Sequence, residues 1–366
     1  MILVEDLLKK LNKKNISFFS GVPDSILKDL CNTLSKFNSR KHIIATNEGS
    51  AVSLGIGYFL SKKKIPCVYM QNSGLGNAIN PLISITDKKV YSIPMLLLIG
   101  WRGSPHSKDE PQHMTKGKIT PDLLKLLNIK FCVLKKKKDL NKLDKLLLYA
   151  KKNNQPVACL IEKNIMNSKK KIIIKKKKKY LSRKDFIKTF LNVVPKGSKI
   201  ISTTGYTSRE LFQIRSKNKM RKGKDFYMVG GMGHASIVSL GVSLNTAKNV
   251  ICLDGDGSFF MHLGASNTIG KFGKKNFKHI LFNNNSHESV GGQPTYSENV
   301  KIKNLVLSMG YKSYKKINKK NNIDKEIKKF LRSSGPSFLE VEISLGTLKN
   351  LSRPTNLIKI KNDFKN

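Results

Sequence analysis

The sequence alternates short apolar runs with helical patterns, and this alternation is the feature that most limits the folds open to the chain. A first series comprises "ISFFSG", "HIIATN", "CVYMQNSG", "MLLLIGW", "FCVLK" and "VACLIEK", and a second comprises "KIISTTG", "DFYMVGG", "NVICLDGDG", "KHILFNNN" and "SFLEVEIS". Short strands that alternate with helices are typical of parallel sheets with crossover helices. We therefore predict an α/β protein with two doubly wound parallel-sheet domains.

The two series are separated by the lysine-rich stretch "NSKKKIIIKKKKKY". A chain of 366 residues is long enough for two domains, each with its own core. We predict an N-terminal domain over residues 1–166, a linker over residues 167–182 and a C-terminal domain over residues 183–366.

The N-terminal segment and the cysteines bear on localisation. In "MILVEDLLKKLNKKN" the apolar residues fit a helical stripe rather than a signal peptide, and the longest apolar run, "IPMLLLIG", is too short to span a bilayer. The five cysteines form no C-x-x-C pair, so neither a zinc site nor a disulfide framework is indicated. The simplest expectation is a cytoplasmic protein with reduced thiols and no membrane partner.

The strongest compositional bias is a net charge of +45, from 69 Lys and Arg against 24 Asp and Glu. Such a charge suggests a nucleic-acid or anionic-membrane partner. However, only eight of the basic residues are Arg, the residue preferred for bidentate phosphate or base contacts, and no nucleic-acid-binding motif accompanies the lysines. We expect lysine-covered, solvated faces and no specific nucleic acid. A basic nucleic-acid-binding protein with a degenerate enzyme fold is the alternative from another class.

Most apolar runs end in clusters of small or polar residues, namely "SGVPDS", "TNEGSA", "NSGLGN", "STTGYTS" and "GGMGHAS". In open parallel sheets, ligands bind beyond the carboxyl ends of the strands, where glycines permit tight turns and close backbone approach. Each half of the chain is therefore predicted to present a ligand-binding edge.

The stretch "NVICLDGDG" predicts a strand and a turn, "SFFMHLGASNTIGKFG" a helix, and "FKHILFNNNS" the next strand. A βαβ unit of this kind brings Asp256 and Asn284 to the same sheet edge. Mg²⁺ prefers oxygen ligands, so we predict Asp256, the Asn284 amide oxygen and the backbone carbonyl at Ser286 as metal ligands. The helix N-terminus at Ser258 is predicted to face a diphosphate. The alternative is that Asp256 only caps a helix.

An acid between two glycines, followed 28 positions later by Asn-Asn, is similar to the signature of thiamine-diphosphate enzymes. "GGMGHASIVSLGVSL" and the glutamate of "ATNEGSAVSLGIGYFL" are placed as in the thiamine-diphosphate-dependent 2-oxo acid decarboxylases. Within that family, "GVPDS", "GWRGSPHSKDEPQH", "STTGYTSREL" and "NSHESVGGQPT" resemble the phosphonopyruvate decarboxylases. The resemblance runs along nearly the whole chain, and it implies two cofactor-binding domains, for the pyrimidine and the diphosphate, without a middle domain.

This resemblance implies thiamine diphosphate and Mg²⁺ as cofactors. It implies that Glu48 hydrogen-bonds the pyrimidine ring, whereas an acid favoured by the helix dipole is the alternative. It implies that Met232 supports a bent cofactor and that the Gly230 carbonyl accepts from the pyrimidine amine, whereas core filling is the alternative for the methionine. By the same correspondence, the diphosphate candidates are Thr204, Thr207, Ser208, Gly257 and Ser258.

The resemblance also implies a small 2-oxo acid with a second anionic group, phosphonopyruvate, which would be decarboxylated to phosphonoacetaldehyde in phosphonate biosynthesis. The loop "GWRGSPHSKDEPQH" concentrates cations, and a guanidinium matches phosphonate oxygens with two parallel hydrogen bonds, so Arg102 is the leading candidate for substrate binding. Gln112 and His113 are further candidates, and His113 is also a candidate for catalysis. The alternative is a solvated loop of mixed charge.

Three other polar residues are candidates for proton transfer. Asp24 and Ser25 lie in "SGVPDS", where an ordinary Pro-Asp turn is the alternative. His287 follows the predicted metal-binding turn and could act as an acid or base near neutral pH.

The resemblance implies a homo-oligomer, at least a dimer, in which the first domain of one subunit and the second domain of another complete each active site. Sulfopyruvate decarboxylase is the nearest alternative. That enzyme is often split into two subunits, so the single-chain layout favours phosphonopyruvate as the substrate. The "DEPQH" motif also favours phosphonopyruvate. An acetolactate-forming carboligase is disfavoured, since the chain has no room for a middle domain.

Overall fold

The structure is a computed structural model that describes residues 1–169, 181–217, 224–318 and 321–365. It divides into two compact units, Met1–Ile174 with Val290–Gln293 and Lys175–Ser289 with Pro294–Asn366. Most of the predicted linker, residues 170–180, lies outside the described residues. The domain boundaries at 166 and 183 therefore stay predictions.

The first unit contains a six-stranded parallel sheet in the part of the chain that the structure describes. Its strands and helices are β1 (Ile2–Leu3), β2 (Phe19–Gly21), β3 (His42–Ile44), β4 (Cys67–Gln71), β5 (Met95–Gly100), β6 (Lys130–Leu134), β7 (Pro156–Ile161), β8 (Met166–Asn167), α1 (Val4–Lys13), α2 (Lys28–Leu34), α3 (Glu48–Lys62), α4 (Leu75–Ser84), α5 (Pro111–Leu126) and α6 (Lys142–Asn153). The sheet order is β3-β2-β4-β5-β7-β6, and β1 pairs separately with β8.

The second unit contains another six-stranded parallel sheet, in the order β10-β9-β11-β12-β14-β13 among its described residues. Its strands and helices are β9 (Lys199–Ser202), β10 (Phe226–Tyr227), β11 (Val250–Gly255), β12 (Phe277–Asn283), β13 (Ser313–Ile317), β14 (Ser337–Glu342), α7 (Arg183–Val193), α8 (Tyr206–Lys217), α9 (Ala235–Leu244), α10 (Asp256–Met261), α11 (Ala265–Phe272), α12 (Ile302–Ser308), α13 (Ile323–Arg332) and α14 (Leu357–Lys365).

The two large sheets have the same topology. When β2 and β9 are each counted as the first strand of their sheet, both orders become 2-1-3-4-6-5. The chain reverses direction across each sheet between its first and third strands, and ligands bind at such switch points in open α/β sheets. The predicted α/β class and the similar plan of the two halves are confirmed.

Both faces of each sheet are buried, which explains why the central strands read as continuous apolar runs. In the first unit, Tyr69 and Leu98 face one core, while Met70 and Leu97 face the other. All residues of β5 and β7 are buried. This packing fixes the strand ends from which the candidate site residues extend.

The structure departs from the sequence prediction at two places in the second unit. The single helix predicted over "SFFMHLGASNTIGKFG" is wrong: α10 ends at Met261, His262 leaves the helical conformation, and α11 begins after Gly264. Helix α10 also begins at Asp256 rather than Ser258. The prediction missed β13, "SYKKI", because its lysines hide the strand pattern. No described helix combines the length and apolarity needed to cross a lipid bilayer.

Candidate active site

Asp256 lies where β11 ends and α10 begins, and its side chain is buried. The Ser286 N–H donates to its Oδ2 at 3.1 Å, and the hydroxyls of Thr295 and Ser297 lie 2.6 and 3.3 Å from the same oxygen. Burial raises the pKa of Asp256 to about 6. The carboxylate is therefore held in one orientation at the carboxyl end of the sheet.

Asn284 follows β12, the parallel neighbour of β11. Its Oδ1 accepts from the Ser286 N–H at 3.1 Å, the same N–H that donates to Asp256. The two side-chain oxygens therefore converge on one point of the backbone, as the βαβ prediction required. A carboxylate oxygen and an amide oxygen that converge in this way are the kind of donors that suit Mg²⁺.

A second buried acid, Asp254, lies behind this turn. Its Oδ1 accepts from the Gly255 N–H at 2.9 Å, and its Oδ2 is 3.4 Å from His279 Nε2. The other ring nitrogen of His279 is 2.8 Å from the Tyr311 hydroxyl. Sequence reasoning missed this set, although an acid inside an apolar strand is itself a signal.

The predicted diphosphate-binding hydroxyls are largely engaged with neighbouring loops. Ser258 Oγ accepts from the Gly233 N–H at 3.0 Å and lies 2.8 Å from Thr203 Oγ1. Ser208 Oγ donates to the Thr203 carbonyl at 2.7 Å. These contacts give Ser258 and Ser208 the additional role of joining strand-end loops. Thr207 is buried and Thr204 is half-buried.

The turn "GGMGH" between β10 and α9 depends on glycine. Gly231 and Gly233 have φ values of 64° and 87°, which disfavour residues with a Cβ atom. A Cβ on Gly233 would also lie 2.3 Å from the His262 ring. Met232 is half-buried between these two glycines, and Gly230 lies two positions before it, whereas Met228 packs against the nearby core. The turn thus presents Met232 at the sheet edge.

His287 packs against the predicted diphosphate-binding backbone. A Cβ on Gly257 would lie 2.7 Å from His287 Nδ1, so the ring lies directly over that glycine. Burial lowers the pKa of His287 to about 4. The imidazole is therefore neutral at pH 7, and the role of His287 as an acid or base stays a prediction.

In the first unit, Glu48 begins α3 after the N-cap residue Asn47 and is buried. Its Oε2 accepts from Asn77 Nδ2 at 2.7 Å. Its other oxygen faces Gly74, where a Cβ would lie 2.2 Å from Oε1. Burial raises the pKa of Glu48. A buried carboxyl group whose pKa is raised can share a proton with a ligand nitrogen.

Asp24 has the local geometry of the Pro-Asp turn alternative. It is completely buried, its Oδ2 accepts from the N–H groups of Ile26 and Leu27 at 3.1 and 3.2 Å, and its Oδ1 accepts from Gln71 at 2.6 Å. Burial raises the pKa of Asp24. Ser25 is exposed. Asp24 thus holds the turn that presents Ser25.

Arg102 follows β5 and is not free to form the predicted pair of bonds with a substrate. Its Nε and Nη2 donate to the two oxygens of Asp109 at 2.7 and 2.5 Å, and Nη2 also lies 3.1 Å from Glu110. Its Nη1 donates to Ser25 Oγ at 3.2 Å. The bidentate face is used within the loop, so Nη1 is the part of the guanidinium directed toward the Ser25 turn.

The "DEPQH" motif holds this arginine. Gln112 Nε2 donates to Glu110 at 2.5 Å, and α5 begins at Pro111. His113 has a buried Nδ1 with no hydrogen-bond partner. Burial, together with the nearby Arg102 charge, lowers the pKa of His113 to about 4. The motif therefore orients Arg102 and presents a neutral imidazole.

The sequence analysis missed the hydrogen-bond partners that orient the predicted site residues. Asn77 holds Glu48, Thr295 holds Asp256, and Asp109 holds Arg102. Only Asp109 had a sequence signal, because it is an acid seven residues after an isolated arginine. The other partners come from loops whose path depends on the tertiary fold.

Comparisons with known proteins agree with this arrangement. The family model described as "Thiamine pyrophosphate enzyme, N-terminal TPP binding domain" matches residues 1–126, and the "C-terminal TPP binding domain" model matches residues 203–341. The phosphonopyruvate decarboxylase of Streptomyces hygroscopicus is 30% identical over 97% of this chain and 90% of its own length. This chain belongs to the thiamine-pyrophosphate enzyme family.

Other relatives lie within the same family. The phosphonopyruvate decarboxylase of Streptomyces viridochromogenes is also 30% identical over 97% of this chain, and over 91% of its own length. The sulfopyruvate decarboxylase of Methanosarcina acetivorans is 25% identical over 93% of this chain and 91% of its own length. This thiamine-pyrophosphate enzyme is a carboxy-lyase.

The residues present in this thiamine-pyrophosphate enzyme fit both cofactors. Asp256 and Asn284 supply a convergent oxygen pair for a hard cation. The left-handed glycines of "GGMGH" leave backbone close to the sheet edge, and Glu48 is a buried acid with a raised pKa in the domain that matches the N-terminal model.

Proposed function

We propose that this enzyme uses thiamine diphosphate and Mg²⁺ to decarboxylate 3-phosphonopyruvate to phosphonoacetaldehyde and CO₂. The proposal rests mainly on the 30% identity to two phosphonopyruvate decarboxylases over 97% of this chain. The converging oxygens of the buried Asp256 and the half-buried Asn284 support it, as does the raised pKa of the buried Glu48. The proposal includes a cytoplasmic location and a place in phosphonate biosynthesis.

Each unit would contribute different groups. Thiamine diphosphate, when bound, supplies a carbon nucleophile and an acceptor for the electrons released as CO₂ leaves. Glu48 would hold a proton toward the pyrimidine ring, and Asn77 keeps its carboxyl group oriented. Asp256, Asn284 and the Ser286 carbonyl would hold Mg²⁺. Thr204, Thr207, Ser208, Gly257 and Ser258 would line the diphosphate, and Gly230 and Met232 would support the pyrimidine side.

The substrate's second anionic group would meet the loop after β5. Arg102 presents Nη1 beside the exposed Ser25, while Asp109 fixes the rest of the guanidinium. Gln112 and His113 would add neutral hydrogen-bonding groups, because the His113 ring stays uncharged at neutral pH. Asp24 would act by holding the turn. His287 would lie over the diphosphate-binding backbone as a neutral imidazole.

Sulfopyruvate is the second candidate substrate. The single-chain layout does not separate the two possibilities, because the Methanosarcina acetivorans sulfopyruvate decarboxylase also aligns with 93% of this chain. Over nearly the whole chain, the 30% identity to the phosphonopyruvate decarboxylases exceeds the 25% identity to that sulfopyruvate decarboxylase, which favours the phosphonate. Both substrates carry a second anion on a pyruvate skeleton, so recognition of that anion decides between them.

Release of CO₂ from phosphonopyruvate, sulfopyruvate and pyruvate, measured in parallel, tests this proposal. We expect the largest kcat/KM with phosphonopyruvate and no turnover when thiamine diphosphate and Mg²⁺ are both removed. A larger kcat/KM with sulfopyruvate than with phosphonopyruvate would mean that the enzyme is a sulfopyruvate decarboxylase. Turnover that persists without either cofactor would contradict the proposed chemistry.

We further propose a homo-oligomer, at least a dimer, in which Glu48 of one subunit and Asp256 of another serve the same active site. Mixing Glu48→Gln with Asp256→Asn subunits, followed by dissociation and reassociation, tests this arrangement. For a dimer, random pairing leaves about a quarter of the sites with both native residues, so about a quarter of wild-type activity should return. Sites formed within single chains would give no recovery.

A further inference from the structure

The side-chain amide of Asn284 can bind a metal only through its oxygen, yet its oxygen and nitrogen ends have nearly the same shape. The hydrogen-bond partners therefore decide which end faces the proposed metal. Asn284 Oδ1 accepts from the Ser286 N–H at 3.1 Å, on the side where Asp256 Oδ2 accepts from the same group. Asn284 Nδ2 donates to Glu288 Oε2 at 3.2 Å.

Glu288 itself is fixed by hydrogen-bond donors. Arg183 Nη2 lies 3.4 Å from its Oε2, and the Gly346 N–H donates to its Oε1. The Glu288 side chain is 16% exposed. A carboxylate can only accept hydrogen bonds. It therefore accepts one from the NH₂ group of Asn284 and cannot bond the oxygen end of that amide.

We propose that Glu288 is a positioning residue that sets the Asn284 amide with its oxygen toward Mg²⁺. This inference rests on the proposed metal role of Asp256 and Asn284. Groups that orient a metal ligand in this way typically change metal affinity by about 10–100-fold when they are altered. Glu288 does not contact the metal in this proposal, and its effect passes entirely through Asn284.

Glu288→Gln tests the proposal with little change of shape. Among the described residues, the hydrogen-bond partners of the Glu288 carboxylate are all donors, namely Arg183 Nη2, Gly346 N and Asn284 Nδ2. A glutamine must turn its NH₂ group toward at least one of them, or else the Asn284 amide must flip. We expect the Mg²⁺ concentration for half-maximal thiamine-diphosphate binding, measured by calorimetry, to rise about 10–100-fold.

Glu210 provides the matched control. It shares Arg183 with Glu288, since Arg183 Nε donates to its Oε2 at 2.9 Å, and its other oxygen accepts from Thr347 and Leu348. Among the described residues, the hydrogen-bond partners of Glu210 are Arg183, Thr347 and Leu348 and do not include Asn284. Glu210→Gln should lower thermal stability but leave the Mg²⁺ requirement within about twofold of wild type. Equal shifts in the two variants would mean a general structural effect and would overturn the proposal.

The second measurement is the Mg²⁺ requirement of variants in which the hydrogen-bond donor of the Asn284–Glu288 pair is moved from position 284 to position 288. Asn284→Asp places a carboxylate against Glu288, so we expect it to raise the Mg²⁺ requirement despite its added charge. In the Glu288→Gln background the same substitution restores a donor and an acceptor, so we expect it to lower the requirement. A change of equal sign in both backgrounds would overturn the proposal. If Glu288→Gln does not fold, the Asn284→Asp result in the wild-type background decides the question.

Measurements on the wild-type protein distinguish failure of the proposed metal site from failure of the proposed role of Glu288. If thiamine diphosphate binds wild type equally well with and without Mg²⁺, the proposed metal site and the role of Glu288 both fail. If wild type requires Mg²⁺ but Glu288→Gln retains the same requirement, only the role of Glu288 fails.

Discussion

Glu48 and Asp256 are buried acids in two units of identical sheet order, but Glu48 follows the edge strand β3 and Asp256 follows the inner strand β11, and their surroundings differ. Each begins a helix after a parallel strand, and burial raises the pKa of each. Asn77 is the side-chain donor to Glu48, whereas backbone and hydroxyl donors surround Asp256 Oδ2. The lightly held acid suits proton sharing, and the firmly held acid suits a fixed cation.

The largest effect is expected on kcat when Glu48, the acid proposed to share a proton, is replaced. Glu48→Gln should lower kcat for CO₂ release by about 10²–10⁴-fold, because a glutamine side chain cannot exchange a proton with the pyrimidine ring as a carboxyl group can. Binding of thiamine diphosphate, measured by calorimetry, should change little. Asp139→Asn is a control at a buried acid of the same unit that caps the backbone at Lys135 and Lys136. Near-normal kcat in Glu48→Gln would remove this residue from the chemistry.

Asp256→Asn should affect the metal requirement instead. Loss of the carboxylate should raise the Mg²⁺ concentration needed for half-maximal activity by on the order of 100-fold. Because the neighbouring oxygen ligands remain, excess Mg²⁺ should restore part of the activity. The same excess should not help Glu48→Gln. If Mg²⁺ rescued both variants or neither, the contrast between proton sharing and cation binding would be wrong.

A smaller effect is expected from the glycine that packs against Glu48. A Cβ on Gly74 would lie 2.2 Å from Glu48 Oε1, whereas a Cβ on Gly76 would meet nothing within 4 Å. Gly74→Ala should therefore displace the carboxyl group and lower kcat by about 10–100-fold, and Gly76→Ala should remain close to wild type. The measurement is CO₂ release at saturating cofactors. Equal losses in the two variants would show that the position of Glu48 is not the cause.

The strand ends could be read from the sequence, and both acids lie there, although the role predicted for Glu48 came from the family resemblance. Apolar runs bounded by small residues predict where a buried parallel strand stops. Glu48, Asp256 and Asn284 all lie within four residues of such an end. The strand β13 escaped because an edge strand with lysines lacks the apolar run that marks its neighbours.

The partners of these residues could not be read in the same way. Asn77 is 29 residues from Glu48 and Thr295 is 39 residues from Asp256, so only the tertiary fold brings each pair together. Arg102 shows another limit of the sequence. Its rarity among lysines suggested a substrate ligand, but the acid seven residues away takes its bidentate face. A nearby opposite charge should be tested as a partner before a distant ligand is inferred.

The smallest expected effect concerns the cofactor-free protein. The pKa of Asp256 is raised to about 6, whereas in the unfolded chain it returns to about 3.8, its ordinary value. Between these values the unfolded state releases a proton that the folded state keeps, so the contribution of Asp256 to stability falls as pH rises from about 4 to about 6. At pH 7 the cost is about 1–3 kcal/mol.

Urea unfolding of cofactor-free wild type and Asp256→Asn at pH 4.5 and pH 7 measures this contribution. The comparison must be between variants, because His42 and His287, whose pKa values burial lowers to about 4, make the whole protein less stable at low pH. We expect Asp256→Asn to gain stability relative to wild type at pH 7 and to lose most of that advantage at pH 4.5. If the difference in the free energy of unfolding between Asp256→Asn and wild type did not change with pH, burial would not raise the pKa of Asp256. Asp256 would then differ from Glu48 only in its contacts.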